Sequence, residues 1–443
     1  MNRILKLFLL LSFVFSVSQV FAQDHRNAEL DSLRKLEEEG TDSVVFTSKY
    51  VRFTNRRLLR DSIITLPIDT TLRNFQLYSP LYQPNRPTIH LGITGLATRD
   101  LLFNRSKRIG FDPGFHALDY YLMDQDDVYY YRARSPYTQL YYINGSAKEQ
   151  IFRVTHSQNV KRNWNIGANY FRIGSEGFYR NQDADHLNAA LFSWYESPNK
   201  RYNLLANAVF NTLKAGENGS VAIDSVFDSE AGQRRDALQV RLSERGRNRP
   251  QQIWRQKSLY LEQSYFLGRV DTTGTETSGT NVLPTQRLSH TLNYSSNRYR
   301  FFKNEADPFD AFPDNLASDT VELTNDSTLV KHLSNEFGYS FYLRGRAVSF
   351  IRNELKLDLR LQHDLYWYEQ FSLPSASLGQ ETFQNLTAKA GLGYRFSDRV
   401  NINGNLEQIF QGRNAGDYLY EANTNFLLSR RAGRIVLGAY LQN

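Results

Sequence analysis

The sequence predicts an all-β protein: a transmembrane antiparallel β-barrel of about sixteen or more strands when complete. Three observations predict it. Segment after segment alternates apolar and polar residues with period two, short turns alternate with longer links, and aromatic residues gather towards the strand ends. In ELKLDLRLQHDLYWY (354–368), Leu355, Leu357, Leu359, Leu361, Leu365 and Trp367 share one parity, and Lys356, Asp358, Arg360, Gln362 and Asp364 the other. A side-chain period of two is an extended strand with one oily and one polar face.

The elements follow in chain order. MNRILKLFLLLSFVFSVSQVFAQ opens with Arg3 and Lys6, continues with an apolar run and reaches Val20-Phe21-Ala22 before Gln23. That is a secretory signal peptide over residues 1–22, cleaved after Ala22. The formal charge of +7 falls to +5 once Arg3 and Lys6 leave with it. Residues 23–85 are charged and proline-punctuated, with too few apolar residues for a core of their own, and read as a periplasmic N-terminal segment. From 86 to 443 the chain reads as barrel, with about fifteen strands counted from residue 88.

Among these strands, NWNIGANYFRI sets Trp164, Ile166, Ala168 and Tyr170 against Asn163, Asn165 and Asn169. YNLLANAVFN sets Tyr202, Leu204, Ala206, Ala208 and Phe210 against Asn203, Asn207 and Asn211. TFQNLTAKAGLGYRF sets Leu386, Ala388, Ala390, Leu392, Tyr394 and Phe396 against Asn385, Thr387, Lys389 and Arg395. VNINGNLE and YLYEANTNFLL repeat the pattern with Asn401, Asn403, Asn405, Glu421, Asn423 and Asn425 on the polar side. On a helix, this period would smear the charges around the axis.

Short polar turns at 197–201, 345–349, 397–399 and 430–434 alternate with longer links at 174–186, 214–251, 303–331, 371–380 and 411–417. Such alternation belongs to membrane barrels. Two links depart from it: 268–285 is long where a turn belongs, and the INGS hairpin (143–146) is short where a loop belongs. Trp164, Trp194, Tyr195, Tyr202, Tyr394 and Phe396 cluster beside the short turns, and Trp367, Tyr418 and Tyr420 towards the long links, as two interfacial girdles require. The last strand, RIVLGAYLQN, leaves a short turn and runs to the far side, whereas an even barrel returns both termini to the periplasm. The expectation is therefore a chain truncated at its C-terminus.

Composition narrows the function. The 443 residues contain 27 Tyr and 29 Phe but 2 Met and no Cys, which excludes disulfides, thiol catalysis and lipoprotein acylation. The charge is too mild for a nucleic-acid binder. No zinc, nucleophile-elbow or phosphate-loop motif occurs, so no enzyme, cofactor or metal is expected. The acidic run at Asp124, Asp126 and Asp127 lacks the glycine turn and distal glutamate of a calcium loop and reads as a solvated loop. His156 and His363 share parity with apolar neighbours and read as rim residues.

The stretch from SPYTQLYYINGSAKEQIFRV through NLLANAVFN (135–211), with LKAGENG (213–219) and DTTLRNF (69–75), resembles the putative porin family of Bacteroidota outer membranes. The resemblance implies a barrel in the cell outer membrane, reached through the signal peptide, and carries no catalytic residues. The function expected is a water-filled porin for passive diffusion of small polar solutes. The alternative is a plugged structural or secretion-associated barrel without open-channel activity, with residues 23–85 as plug or partner contact. Pore-lining candidates are Asn203, Asn207, Asn211, Lys356, Asp358, Arg360, Gln362, Asp364, Lys389 and Arg395, since a lumen this wide stays aqueous. Arg234, Arg235, Arg241, Arg245, Arg247 and Arg249 lie in the long link 214–251, which reads as a mobile loop, a pore constriction or a lipopolysaccharide contact. Expected partners are outer-membrane lipid, lipopolysaccharide, small polar solutes and the barrel-assembly machinery, with a homo-oligomer left open.

Overall fold

The computed structural model describes residues 50–443 apart from 61–62, 72, 74–75, 83–86, 134, 147, 223–239, 274–280, 307–310, 312–322, 344–353, 373–376, 398 and 430–432. The signal segment and the leader as far as residue 49 lie outside the described residues. Contacts separate Met1–Tyr50 from Val51–Asn443, and the second unit is the one described below.

That unit opens with short pieces: β1 (Arg52–Thr54), helix α1 (Arg56–Leu59), β2 (Leu66–Pro67), β3 (Thr88–His90), β4 (Thr98–Asp100) and β5 (Tyr130–Arg132). β1 pairs with β2 and β5, and β3 with β4. Asn55 caps α1 by accepting from the Leu58 N–H at 2.9 Å. Thirteen strands then follow: β6 (Tyr137–Asn144), β7 (Gln150–Lys161), β8 (Trp164–Glu176), β9 (Asp183–Glu196), β10 (Tyr202–Gly216), β11 (Gln251–Thr273), β12 (Asn281–Asn304), β13 (Leu323–Leu343), β14 (Leu355–Ser372), β15 (Ser377–Ser397), β16 (Val400–Gly412), β17 (Tyr418–Ser429) and β18 (Gly433–Gln442). They form one sheet in which every strand pairs antiparallel with its sequence neighbours. Among the described residues, β6 and β18 are its two edges, and no helix is long and apolar enough to cross a membrane.

The alternation divides the sheet into two faces. On β10, Asn203, Leu205, Asn207, Val209, Asn211 and Leu213 are buried, while Phe210 on the other parity is 44 % exposed. The second face stays bare across the sheet, with Leu191, Leu259, Phe337 and Leu406 all more than half exposed. A sheet face of large aliphatic and aromatic side chains is unfavourable in water by about 1.5–3 kcal/mol per residue and at home in lipid. On β10 this apolar band runs from Tyr202 to Phe210, about 27 Å along the strand at ~3.4 Å per residue. Ring pairs bound it at the short-turn end, Tyr195–Tyr202 at 6.3 Å and Tyr394–Phe396 at 4.4 Å. At the other end stand Phe152 between Tyr142 and Tyr170, at 6.4 and 6.0 Å, and the stacked pair Tyr418–Tyr420. Beyond that end Asp185 takes Arg172 at 3.2 Å and Lys214 at 3.6 Å, so charge resumes where apolar side chains stop.

Several expectations change. The fifteen strands counted from residue 88 become thirteen in the large sheet, which starts at Tyr137. Between 88 and 132 the aromatic runs have no steady period and are broken at Pro113 and Gly114, so the chain turns instead of spanning. The long link 268–285 is mostly strand: β11 and β12 stay paired out to Thr273 and Asn281, with a register shift beside Gly268 at φ +71°. The link 371–380 likewise shrinks, since β14 and β15 pair as far as Ser372 and Ser377. Trp194 does not belong to an interfacial girdle. Its parity is opposite to that of Tyr195, and it lies 1 % exposed in the core of the covered face.

Candidate functional site

The described residues of 51–133 pack across the covered face, and this junction is where buried polar and charged side chains collect. Two apolar clusters hold it. In one, Val51, Leu59, Ile63, Val128 and Tyr130 meet Ala190, Phe192, Trp194, Leu205, Val209 and Phe266. In the other, Leu81, Ile93, Leu96, Leu118 and Tyr121 meet Ile151, Ile173, Leu213 and Trp254. Farther along, Phe115 stacks on Tyr299 of β12 at 4.0 Å. Phe111 lies among Tyr366, Tyr368 and Phe383 at 5.6, 5.4 and 5.1 Å. Arg105 pairs with Glu421 of β17 and sits 4.2 Å over the Tyr440 ring of β18, so the segment reaches the last strand.

Polar groups fix the same segment. Asn211 donates to the Met123 carbonyl at 2.9 Å, Asn207 to the Tyr130 hydroxyl at 2.8 Å, and Asn188 to the Tyr121 carbonyl at 2.7 Å. His186 accepts from the Lys214 N–H at Nδ1 and, with Nε2 2.6 Å from the Gly95 carbonyl, donates there, which is the geometry of a neutral imidazole. Arg132 pairs with Glu196 while its guanidinium lies 3.9 Å over the Trp194 ring. Arg57 pairs with Asp126 at 3.0 Å, and Asp124 and Asp127 close a capping box, so all three acids in the 124–127 run serve the segment's own structure.

A charged network lies beside these contacts. Asp358 receives Lys356 at 3.0 Å, Arg360 at 3.1 Å, Arg60 of the N-terminal segment at 3.6 Å, and the Ser340 hydroxyl. Glu336 receives Lys389 at 3.2 Å and Arg360 at 3.6 Å. Register explains the convergence: Ser340 stands opposite Asp358 and Arg360 opposite Lys389. Glu262 joins Arg287 and takes Arg56 at 3.9 Å. Asp364, bound by His332 and Gln362 at 2.8 Å, forms a neighbouring cluster.

Each candidate read from the sequence therefore has a definite place. Lys356, Asp358, Arg360 and Lys389 form one network, and Gln362 and Asp364 another. Asn203, Asn207 and Asn211 are buried, the last two hydrogen-bonded to the N-terminal segment, so their side chains meet protein. Arg395 is exposed, and among the described residues its guanidinium has no ion-pair partner. In the 214–251 link, Arg234 and Arg235 lie outside the described residues. Arg249 pairs with Asp183 at 2.6 Å, the Arg241 N–H donates to the Ser220 carbonyl at 3.0 Å, and Arg245 precedes a turn over Gly246–Asn248 that contains Arg247. Asn181 donates to the carbonyls of Leu242 and Glu244, and Glu305 accepts from the N–H groups of Ser243 and Glu244. The near parts of this link are thus tied to neighbouring strand ends. At its start, burial pushes the Glu217 carboxyl up to about 7, against the lowering effect of the bond from Gln252.

Sequence reasoning missed Glu262, Arg287 and Glu336, which parity on β11–β13 would have found. It also missed Arg56, Arg60, Arg105 and Arg132, because nothing local marks an irregular segment's partners. Separately, a cavity of about 980 Å³ opens on the bare face, lined by Tyr265, Leu288, Phe337, Leu361 and Leu406 among others. Its apolar lining suits hydrocarbon and not a polar solute.

An antiparallel meander with a ring-bounded apolar outer band and a polar opposite face defines the wall of a transmembrane β-barrel. Residues 49–443 match the family described as "Putative porin", and the chain belongs to that family. No curated protein matches it. It is similar to three solved structures, among others. One is the FpvAI–pyocin S2 complex, at 12 % identity and TM-score 0.48, covering 67 % of this chain and 42 % of that one. The second is P. aeruginosa FpvA bound to heterologous pyoverdines, at 11 % and 0.46, covering 66 % and 40 %. The third is the ferric yersiniabactin uptake receptor FyuA from Yersinia pestis, at 12 % and 0.42, covering 70 % and 43 %. The chain spans about two-fifths of the length of each.

Proposed function

We propose that this chain is the wall and built-in plug of a transport barrel in the outer membrane. Residues 51–133 occlude the β7–β13 side, and small polar solutes diffuse passively along the polar strip of β14–β17. One observation supports this above the rest: the N-terminal segment packs closely on the covered face of β8–β11 but touches β14–β18 mainly through Arg60 at Asp358 and through Arg105, Gly110 and Phe111 near the long-link ends. Lys356, Arg360, Lys389 and Arg395 then line the passage, while Asn207 and Asn211 hold the plug. The ion pairs Arg132–Glu196, Arg60–Asp358 and Arg105–Glu421 favour a second reading, a barrel kept shut by its own segment.

Planar-bilayer conductance of the chain, with heat-modifiable gel mobility as proof of folding, tests the choice. The strip reading expects small, steady conductance that grows in Phe111→Ala, because that ring closes the strip at its long-link end. Folded protein that conducts in neither form supports the shut barrel and ends the strip reading.

A further inference from the structure

We infer, resting on the transport reading above, that the uncovered strip selects small hydroxylated carboxylates. The strip is built in register. Asp358, Gly391, Asn405 and Glu421 form one cross-strand row, and Lys356, Gly393, Asn403, Asn423 and Gly438 the next. Towards the short turns, Arg395, Asn401 and Asn425 make a third. The glycines keep the rows shallow: a Cβ on Gly393 would stand 3.1 Å from Asn403 Oδ1 and 3.6 Å from Lys356 Cβ, and one on Gly391 3.3 Å from Asn405 Oδ1. Side chains therefore leave a groove floored by backbone and walled by carboxamides and cations.

Charge fixes the sign of the solute. Arg60, Arg105, Lys356, Arg360, Lys389, Arg395 and Arg434 stand on this face against Glu336, Glu354, Asp358, Glu407 and Glu421, the last paired with Arg105. Asp358 already receives three cations and a hydroxyl, and Glu336 two cations, so neither offers a bare negative charge to the groove. Arg395 carries an exposed guanidinium with no ion pair among the described residues, and its fork matches a carboxylate. The carboxamides fix the second requirement. Asn403, in the second row, is exposed, and its carboxamide oxygen can accept from a solute hydroxyl. The first row ends on Tyr440, opposite Glu421, and the Arg105 guanidinium lies 4.2 Å over that ring, so the covered face is not open for stacking on a bare sugar.

The test is chloride current through the full chain in planar bilayers, with gluconate, acetate or glucose added. Gluconate carries both features, acetate only the charge and glucose only the hydroxyls. Gluconate is expected to reduce the current at concentrations about fivefold lower than either of the others. Arg395→Glu should remove that advantage, Arg395→Lys should keep part of it, and the chloride-over-potassium preference should fall by about two- to fivefold on reversal. Glucose as effective as gluconate, or an unchanged Arg395→Glu, overturns the inference and leaves the transport reading standing. A folded protein without current overturns the transport reading, and this inference with it.

Discussion

Trp194 and Tyr195 are adjacent in β9 and face opposite ways, which makes them a direct test of the two-faced wall. Trp194 is 1 % exposed, belongs to the cluster that seats Val128 and Tyr130, and lies 3.9 Å under the Arg132 guanidinium. A buried tryptophan removes about 150–250 Å² from water, worth ~4–6 kcal/mol at ~25 cal/mol per Å². The cation–π contact adds about 1 kcal/mol, while collapse of neighbours returns some, so Trp194→Ala should cost about 4 kcal/mol. Most of the loss falls on docking of residues 51–133, because the sheet's backbone pairing is untouched. About 4 kcal/mol is close to a thousandfold in an opening equilibrium. Limited proteolysis in detergent should therefore cut within 51–133 hundreds of times faster, while the heat-modifiable mobility of the sheet persists. Tyr195→Ala, beside Tyr202 on the bare face, should leave the segment protected. Equal release by both substitutions, or by neither, refutes the face assignment.

Two further outcomes follow from the same geometry. Leu359→Glu puts a carboxylate into the apolar band and should cut assembly into vesicles, at a cost of about 2 kcal/mol or more; Leu359→Phe should not, and vesicle assembly of the two variants side by side decides it. Glu217, raised to about 7, is favoured protonated when folded, so its contribution is complete below the ordinary carboxyl range near 4.5 and is lost as pH rises through 7. Hydrogen exchange at 217–222 and 240–250 should therefore quicken between about pH 5 and 8, by ~1–2 kcal/mol of protection since Glu217 keeps some solvent access, and Glu217→Gln should flatten the dependence. An exchange profile that Glu217→Gln leaves unchanged removes Glu217 as its cause.

The meander and its lipid-facing side were legible because a strand advertises its faces at every second residue. Leu355 to Leu361 against Lys356 to Arg360 needed no tertiary information to be placed on opposite sides. Strand ends were less legible, since β11, β12 and β13 continue through polar sequence that carries no apolar alternation. The charged network was half legible: Lys356, Asp358, Arg360 and Lys389 came from parity, but their meeting with Arg60 comes from a segment without a period. Of that segment only the part up to residue 85 was read as a plug or partner contact, and the rest was counted as barrel, for the same reason. Val51, Ile63, Leu118 and Val128 are scattered apolar residues whose partners lie far along the chain.

One signal for the plug was nonetheless in the sequence, and it sharpens the functional argument. Strict alternation requires water, or a polar lining, on the second face. β14, β16 and β17 hold that alternation over long stretches, with lysine, arginine and asparagine on the covered parity. β9 and β10 do not: Ala190, Phe192 and Trp194, then Leu205, Val209 and Leu213, interrupt the polar parity with buried apolar groups. Those interruptions are where residues 51–133 sit. A wall with an open lumen throughout would have no reason to place Trp194 and Leu213 inward, and a wall plugged throughout would have no reason to keep an asparagine at 401, 403, 405, 423 and 425. The two kinds of strand in one sheet are what the partly occluded barrel proposed above would require, with the plug on the first half and the solute on the second.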